Sequence, residues 1–182
     1  MRVLLITEDP TYDQHLLKPL LEAMFAHLDR AKVRVRVCTN PVYPGVENVL
    51  KNLCAVTSAN PMVDLYLLVV DRDGKSGRRQ MLDRLETENG NLLAAHAIEE
   101  VEVWTLAGLE HAAWKEIRQA TDAKERFFQP LAAAEYAHFP FGGYKEMGLK
   151  AAANYKRMRQ LCQEDLLDLE NRLAGWLAAR AT

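Results

Sequence analysis

Four short apolar segments, separated by helical patterns, constrain the fold of this chain more than any other feature. They are residues 2–7 (RVLLIT), 32–38 (KVRVRVC), 64–70 (DLYLLVV) and 91–98 (NLLAAHAI). Strands that alternate with helices, as here up to about residue 109, are typical of a parallel, doubly wound α/β sheet. In the second segment Val alternates with Lys and Arg, which predicts a strand near a sheet edge with one face in water.

The pattern changes after residue 109, where no further strand is predicted. Residues 110–182 are predicted to form helices, with a break at 138–143 (HFPFGG) and a final amphipathic helix near 163–179. The Gly-Gly pair in the break fits either an ordinary helix–helix connection or a turn that approaches a phosphate. We therefore predict an α/β domain over 1–109 and a helical extension over 110–182 that packs on it. The leucine-rich face of the last helix would suit this core or a homodimer.

Composition excludes several classes of protein. The 23 basic and 25 acidic residues give a net charge of −2, which argues against coating nucleic acid through bulk charge. The three cysteines are odd in number and widely spaced, so neither a disulfide framework nor a structural zinc site is expected. A run of 18 apolar residues is absent from the sequence, and we expect no membrane span. These features together predict a cytoplasmic protein.

Acidic residues follow three of the predicted strands. Glu8 comes after the first strand, Asp71 and Asp73 after the third, and Glu100 and Glu102 after the fourth. Because the carboxyl ends of parallel strands meet at one edge of a sheet, these side chains are expected to converge there. Converging carboxylates repel one another, and a divalent cation such as Mg²⁺ or Mn²⁺ relieves that repulsion. Acidic residues are also common in ordinary polar loops, so the metal site is a hypothesis.

A basic stretch in the predicted extension complements these acids. Between residues 145 and 159 the only acidic residue is Glu146, and the basic residues are Lys145, Lys150, Lys156, Arg157 and Arg159. Cations that bind phosphates beside a metal that acts on the scissile phosphate would suit a phosphodiester substrate. We single out Lys145 and Lys150 as candidate phosphate-binding residues, although a solvated helix face would carry the same pattern.

Three segments together resemble the Toprim-type fold of nucleotidyl transferases and hydrolases. They are VLLITE (3–8), LLVVDRDG (67–74) and AHAIEEVEVWTLAG (95–108). The similarity is greatest to small bacterial Toprim-like families, some of them linked to phage defence, and a Tyr-Lys pair in their helical tails is matched by residues 144–145. It covers about residues 1–109 and implies a Rossmann-like parallel sheet of Toprim type.

The resemblance also implies roles for individual residues. Glu8 would act as general acid or base, Asp71 and Asp73 would bind Mg²⁺, and Glu100 or Glu102 would assist. The expected activity is Mg²⁺-dependent phosphoryl transfer, by a nuclease or a nucleotidyl transferase or hydrolase acting on nucleic acid or nucleotides. An ATPase or another partner subunit encoded nearby is an expected partner.

Two alternatives stay open at this stage. The first strand and its acids also resemble a response-regulator receiver, in which the Asp at the end of the third strand, here Asp71, accepts a phosphoryl group. The distance in sequence between Asp9 and Asp71 is longer than the compact unit of a receiver needs, and the acids after the fourth strand have no role there. The other alternative is a binding subunit without catalytic activity.

Overall fold

A computed structural model of the chain describes residues 1–72 and 74–180, and a four-stranded parallel sheet lies at its centre. The strands are β1 (Val3–Thr7), β2 (Val35–Val37), β3 (Leu65–Asp71) and β4 (Leu92–Ala97), in the spatial order β2-β1-β3-β4. All neighbouring strands pair in parallel, with Val3 opposite Val35 on one side of β1 and opposite Leu65 on the other. The four predicted strands and the edge position of β2 are confirmed.

Helices fill the connections between the strands and the whole region after β4. They are α1 (Asp13–His27), α2 (Val46–Lys51), α3 (Leu53–Ala59), α4 (Arg78–Glu88), α5 (Glu102–Gly108), α6 (Trp114–Ile117), α7 (Gln129–Leu131), α8 (Tyr144–Ala153), α9 (Tyr155–Leu161) and α10 (Leu166–Ala178). Two π-helical turns, Lys124–Phe128 and Ala132–Tyr136, flank α7, and a 3₁₀ turn spans Pro140–Gly143. The predicted helical C-terminal region and its break before residue 144 are therefore confirmed.

The helix after β3 begins differently from our prediction. The sequence of residues 76–89 (SGRRQMLDRLETEN) predicts a helix capped by Ser76. Helix α4 instead begins at Arg78 after Gly77, and no side-chain cap is formed at its start. The reason is a turn in which the Arg78 backbone N–H donates to the Lys75 carbonyl at 3.1 Å. This turn satisfies a backbone donor that a serine cap would otherwise satisfy.

Side-chain alternation in the strands divides the core into two layers. Val3 and Leu5 of β1 pack on one face with α1, α5 and the helical extension, whereas Leu4 and Ile6 pack on the other face with α2, α3 and α4. All five residues of β1 are buried, as a parallel strand with helices on both faces requires. The sheet is thus sandwiched between two helical layers.

The helical extension belongs to the first of these layers. Helix α8 lies directly against α1, since a Cβ atom added at Gly148 would come within 2.1 Å of the His15 carbonyl oxygen. The Asp165 carboxylate accepts hydrogen bonds from the Ile98 backbone N–H at 2.9 Å and from Trp104 Nε1 at 2.6 Å, and it caps α10. The extension is therefore fixed to the end of β4 and to α5, close to the acidic strand ends. Within the described residues, no helix is long and apolar enough to cross a bilayer.

Candidate functional site

The strand order identifies where a ligand site is expected. From β1 the chain moves to one side of the sheet to form β2, and then crosses to the other side of β1 to form β3 and β4. The carboxyl ends of β1 and β3 are therefore the point at which the chain changes direction, and doubly wound sheets bind ligands in the crevice at this point. Glu8 follows β1, and Asp71 is the last residue of β3. Two of the predicted site residues thus lie at this crevice.

Glu8 and Asp71 are in direct contact. The Asp71 backbone N–H donates a hydrogen bond to Glu8 Oε1 at 3.0 Å, which fixes the Glu8 carboxylate across the end of the neighbouring strand. Asp71 Oδ1 accepts a hydrogen bond from the Val101 backbone N–H at 2.8 Å. Burial, together with the negative charges of Glu8 and Glu102, raises the pKa of Asp71 to about 9. Without a bound cation, Asp71 therefore holds a proton at neutral pH.

Asp13 adds a third carboxyl group. It is the first residue of α1 and is buried, and Asp13 Oδ2 accepts hydrogen bonds from the Thr7 hydroxyl and, at 3.2 Å, from the Asp9 backbone N–H. Burial raises the pKa of Asp13 to about 7, even though the Thr7 hydrogen bond lowers it, and the charge of Glu102 contributes to the rise. Asp13 is consequently close to half-protonated at neutral pH.

Glu102 and Lys124 form a buried charge pair at the same crevice. Glu102, the first residue of α5, is fully buried, and Lys124 Nζ lies 2.9 Å from Glu102 Oε1. The contact is an ion pair, and Glu102 Oε2 has no hydrogen-bond partner among the described residues. Burial opposes the charge of Lys124, but Glu102 raises the pKa of this lysine overall, so Lys124 is a permanent cation.

Tyr144 completes this group of side chains from the start of α8. Burial, and then the negative charge of Glu102, raises the pKa of Tyr144 to about 12, so its hydroxyl keeps its proton. Its ring lies 4.9 Å from the ring of Phe128 and 5.1 Å from that of Tyr12, measured between centroids. We call Glu8, Asp13, Asp71, Glu102, Lys124 and Tyr144 together the acidic crevice.

Glu100 and the neighbouring Glu99 stabilise loops around the acidic crevice. Glu100 Oε2 accepts a hydrogen bond from the Lys124 backbone N–H at 2.6 Å, and so anchors the turn that carries Lys124. Burial raises the pKa of Glu100, and the negative charge of Glu102 adds to the rise. Glu99 is paired with Arg72 and accepts from the Gly74 N–H at 3.0 Å. The role of Glu100 as a metal ligand stays a prediction, and its observed contact is to the backbone of the extension.

The remaining predicted site residues are Asp73, Lys145 and Lys150. Asp73 falls outside the described residues. Lys145 and Lys150 are exposed on α8. The positive charge of Lys145 adds to the effect of burial in lowering the pKa of His15. Lys150 Nζ lies 3.3 Å from the Tyr136 hydroxyl. Lys145 directly follows Tyr144 of the group at the start of α8, and Lys150 lies further along this helix.

The carboxylates of the acidic crevice are the candidate ligands for a metal ion. Within residues 1–72 and 74–180, no group of three or more His, Cys, Asp or Glu side chains is arranged as a ligand shell. The donor chemistry nevertheless suits a hard cation, because Glu8, Asp71 and Glu102 present carboxylate oxygens and one Glu102 oxygen is buried without a partner. A divalent cation is the natural counter-charge for such a group, in place of the protons on Asp71 and Asp13.

Sequence reasoning missed Asp13 and Lys124 as site residues. Asp13 lies six residues after β1 and reaches back to Thr7, and an acidic residue at a helix start is more often only a helix-stabilising charge. Lys124 comes from the extension, some 20 residues after Glu102, and nothing in the local sequence marks it. The sequence signal for Asp13 is an acidic residue in the first turn of the helix that follows a strand. Lys124 is revealed only by the fold.

Comparisons with known proteins add no relative. No protein-family model matches the chain, and neither a curated protein nor a solved structure shows significant similarity to it. The acidic crevice must therefore be interpreted from its own chemistry.

Proposed function

We propose that the protein is a divalent-cation-dependent phosphoryl-transfer enzyme, a nuclease or a nucleotidyl transferase or hydrolase that acts on nucleic acid or nucleotides. The observation that carries the proposal is the convergence of Glu8, Asp71 and Glu102 at the β1/β3 crevice, where Lys124 is the cation that contacts Glu102. Support also comes from the resemblance of about residues 1–109 to Toprim-type enzymes. A Toprim-type sheet, a role in phage defence and an ATPase or other partner subunit are parts of the proposal that depend on this resemblance alone.

The charge of the crevice explains why a cation is required. A phosphodiester is anionic, and a site made of carboxylates would repel it. Glu8, Asp71 and Glu102 are the residues that would hold Mg²⁺ or Mn²⁺, and the bound ion would polarise a phosphoryl oxygen and stabilise negative charge in the transition state. Since Asp71 carries a proton in the absence of metal, cation binding releases that proton and strengthens as the pH rises.

The other side chains supply binding and proton transfer. Glu8 is half-buried and lies on a different strand from Asp71, and it would transfer a proton to or from the attacking or leaving oxygen. Lys124 and Tyr144 both remain protonated, and each would donate a hydrogen bond to a non-bridging phosphoryl oxygen. Lys145 and Lys150 would bind flanking phosphates without reading bases.

Turnover measurements on four versions of the protein test this proposal. Labelled single-stranded and duplex DNA, RNA and nucleoside triphosphates are incubated with Mg²⁺, Mn²⁺ or a chelator. Glu8→Gln and Asp71→Asn are each expected to reduce turnover by at least about 100-fold, since acid–base catalysis alone contributes that much. Glu135→Gln, an exposed glutamate in the second π-helical turn, is the matched control and should leave turnover unchanged.

Each contrary outcome points to a defined alternative. No cation-dependent product from any of these substrates would refute the enzyme proposal and favour the binding subunit. Stable phosphorylation of Asp71 by acetyl phosphate and Mg²⁺ would refute it in favour of the phosphoacceptor.

A further inference from the structure

Beside the acidic crevice lies a surface rich in exposed aromatic side chains. Within the described residues, the only exposed Phe, Tyr or Trp side chains are Tyr12, Phe139 and Phe141, which are 42%, 37% and 54% exposed. All three lie in two segments, the loop before α1 and residues 139–141 at the start of the 3₁₀ turn before α8. We call Tyr12, Phe139 and Phe141, together with His15 and His138, the aromatic platform.

Ring contacts connect the platform to the crevice. The Phe141 ring lies 4.9 Å from the ring of His15, and the Phe139 ring lies 4.1 Å from that of His138. Tyr12 and His15 are three residues apart at the start of α1, so their side chains lie on the same face. Tyr12 in turn contacts Tyr144 of the crevice at 5.1 Å. A ligand on the platform is therefore adjacent to the crevice.

The backbone holds Phe141 outward at an energetic cost. Phe141 has φ 54° and ψ 34°, a left-handed conformation that is unfavourable for a non-glycine residue. Gly142 and Gly143 continue this conformation, and a Cβ atom at Gly143 would lie 2.2 Å from Tyr136 Cβ. Burial of the Phe141 ring does not offset the cost, since the ring is more than half exposed. Strain of this kind at an exposed residue is typical of a ligand-binding position.

Positive charge accompanies the aromatic rings. A groove between α1 and α8 is lined by Lys18 and Lys145, and its other lining residues include His15, Leu149 and one acid, Glu22. Burial and the charge of Lys145 lower the pKa of His15, so this ring stays neutral and presents an uncharged face. Exposed rings next to lysines form the combination that binds unpaired bases by stacking and their phosphates by charge.

We propose that the aromatic platform binds single-stranded nucleic acid and leads it into the acidic crevice. This deepens the proposed function and rests on it for the identity of the reaction, but not for the binding itself. Bases stack on Tyr12, Phe139 and Phe141, and Lys18 and Lys145 contact the backbone phosphates. A duplex cannot use the platform, because its bases are already stacked on one another and their faces are covered.

Fluorescence anisotropy with the metal removed by a chelator tests the platform apart from catalysis. The probe is a labelled oligothymidylate of about 15 nucleotides, a length within the span of such sites. An abasic strand of equal length carries the same phosphates without bases, and a hairpin duplex carries covered bases. We expect the oligothymidylate to bind at least about 5-fold more tightly than either, since each stacked base contributes about 1–3 kcal/mol.

Variants locate the binding. Phe141→Gly removes the ring and suits the left-handed backbone, and Phe139→Ala removes a second ring; each should weaken oligothymidylate binding roughly 5- to 100-fold. Met62→Ala, at an apolar residue that is 65% exposed outside the platform, should bind like the wild type. Lys145→Ala should reduce the slope of log affinity against log salt by about 0.7, the value for one phosphate contact in a single strand.

Several results would overturn the proposal. These are equal binding of the abasic strand, tighter binding of the duplex, or unchanged affinity in both ring variants when circular dichroism shows them folded. A dimer that Phe141→Gly dissociates would show that the platform is a protein interface instead. Asp71→Asn should still bind the oligothymidylate, because the aromatic platform does not include Asp71. Base-dependent binding by the wild type without cation-dependent turnover would refute the proposed function and leave the platform intact.

Discussion

Replacing Asp71 by Asn should stabilise the metal-free protein, and by an amount that depends on pH. Asn is the neutral counterpart of a protonated Asp, and its Oδ1 can still accept the hydrogen bond from the Val101 N–H. Burial and the charges of Glu8 and Glu102 raise the pKa of Asp71 from 3.8 to about 9. Between these two values folded Asp71 keeps a proton that the unfolded chain has released, so the free energy of unfolding falls as the pH rises through this window.

The magnitude follows from the size of this shift. Each tenfold change in proton affinity is worth about 1.4 kcal/mol, which sets an upper bound of about 7 kcal/mol above pH 9. Water at the half-buried Glu8 screens part of the repulsion, and we expect about 2–3 kcal/mol at about pH 8.5. For a chain of this size, that corresponds to a rise in Tm of about 5–10 °C for Asp71→Asn.

Thermal unfolding in a chelator at about pH 5 and about pH 8.5 measures the effect. At about pH 5, little more than one pH unit above the unfolded-state pKa of 3.8, the Tm of Asp71→Asn should exceed that of the wild type only slightly. The difference should grow at the higher pH, where more of the window between the two pKa values has been crossed. Asp83→Asn, at an Asp paired with Arg79 on the surface of α4, is the matched control and should show no such divergence. An Asp71→Asn variant that is no more stable than the wild type at about pH 8.5 would refute the buried-charge argument.

Two further predictions concern the contacts that hold the extension in place. Lys124→Met should lower the free energy of unfolding by about 3 kcal/mol, because it leaves the buried Glu102 without its partner. The lower end of the range for breaking a buried pair applies, since Lys124 is 32% exposed. Urea unfolding should show most of that loss restored in the double variant that adds Glu102→Gln, and no loss in Lys115→Met, at an exposed lysine of α6. Gly148→Ala should cost at least about 1–3 kcal/mol because its Cβ would collide with the α1 backbone. Gly175→Ala on α10, where the Cβ meets nothing within 4 Å, should instead stabilise by up to about 1 kcal/mol; equal Tm changes in the two glycine variants would contradict the close packing of α8 on α1.

Local sequence patterns were sufficient to predict the sheet. β1 and β3 are buried on both faces by helices, and a continuous apolar run is the direct signature of that burial. The alternation in residues 32–38 reflects the edge position of β2, which has one neighbour only. Helix starts were harder: Ser76 satisfied the cap pattern, but a backbone turn provides the hydrogen bond instead.

The candidate site was predicted only in part, for a physical reason. Glu8 and Asp71 could be found because both come directly after buried strands, where the sheet geometry dictates that they meet. Lys124 pairs with Glu102 through the packing of the extension on α5, a long-range contact that no local periodicity encodes. Glu100 has the residue type of a metal ligand, and its observed contact also depends on the packing of the extension, because its carboxylate accepts a hydrogen bond from the Lys124 backbone N–H.

The central claim is tested most directly by anomalous diffraction from crystals grown with Mn²⁺ at about pH 8.5. This pH lies above the window in which Asp13 titrates. The account predicts an anomalous peak in contact with the carboxylates of Glu8 and Asp71 at the carboxyl ends of β1 and β3. Crystals of Asp71→Asn grown in the same way should lack the peak. Wild-type crystals in saturating Mn²⁺ that show no peak at this crevice, or a peak only elsewhere, would contradict the account.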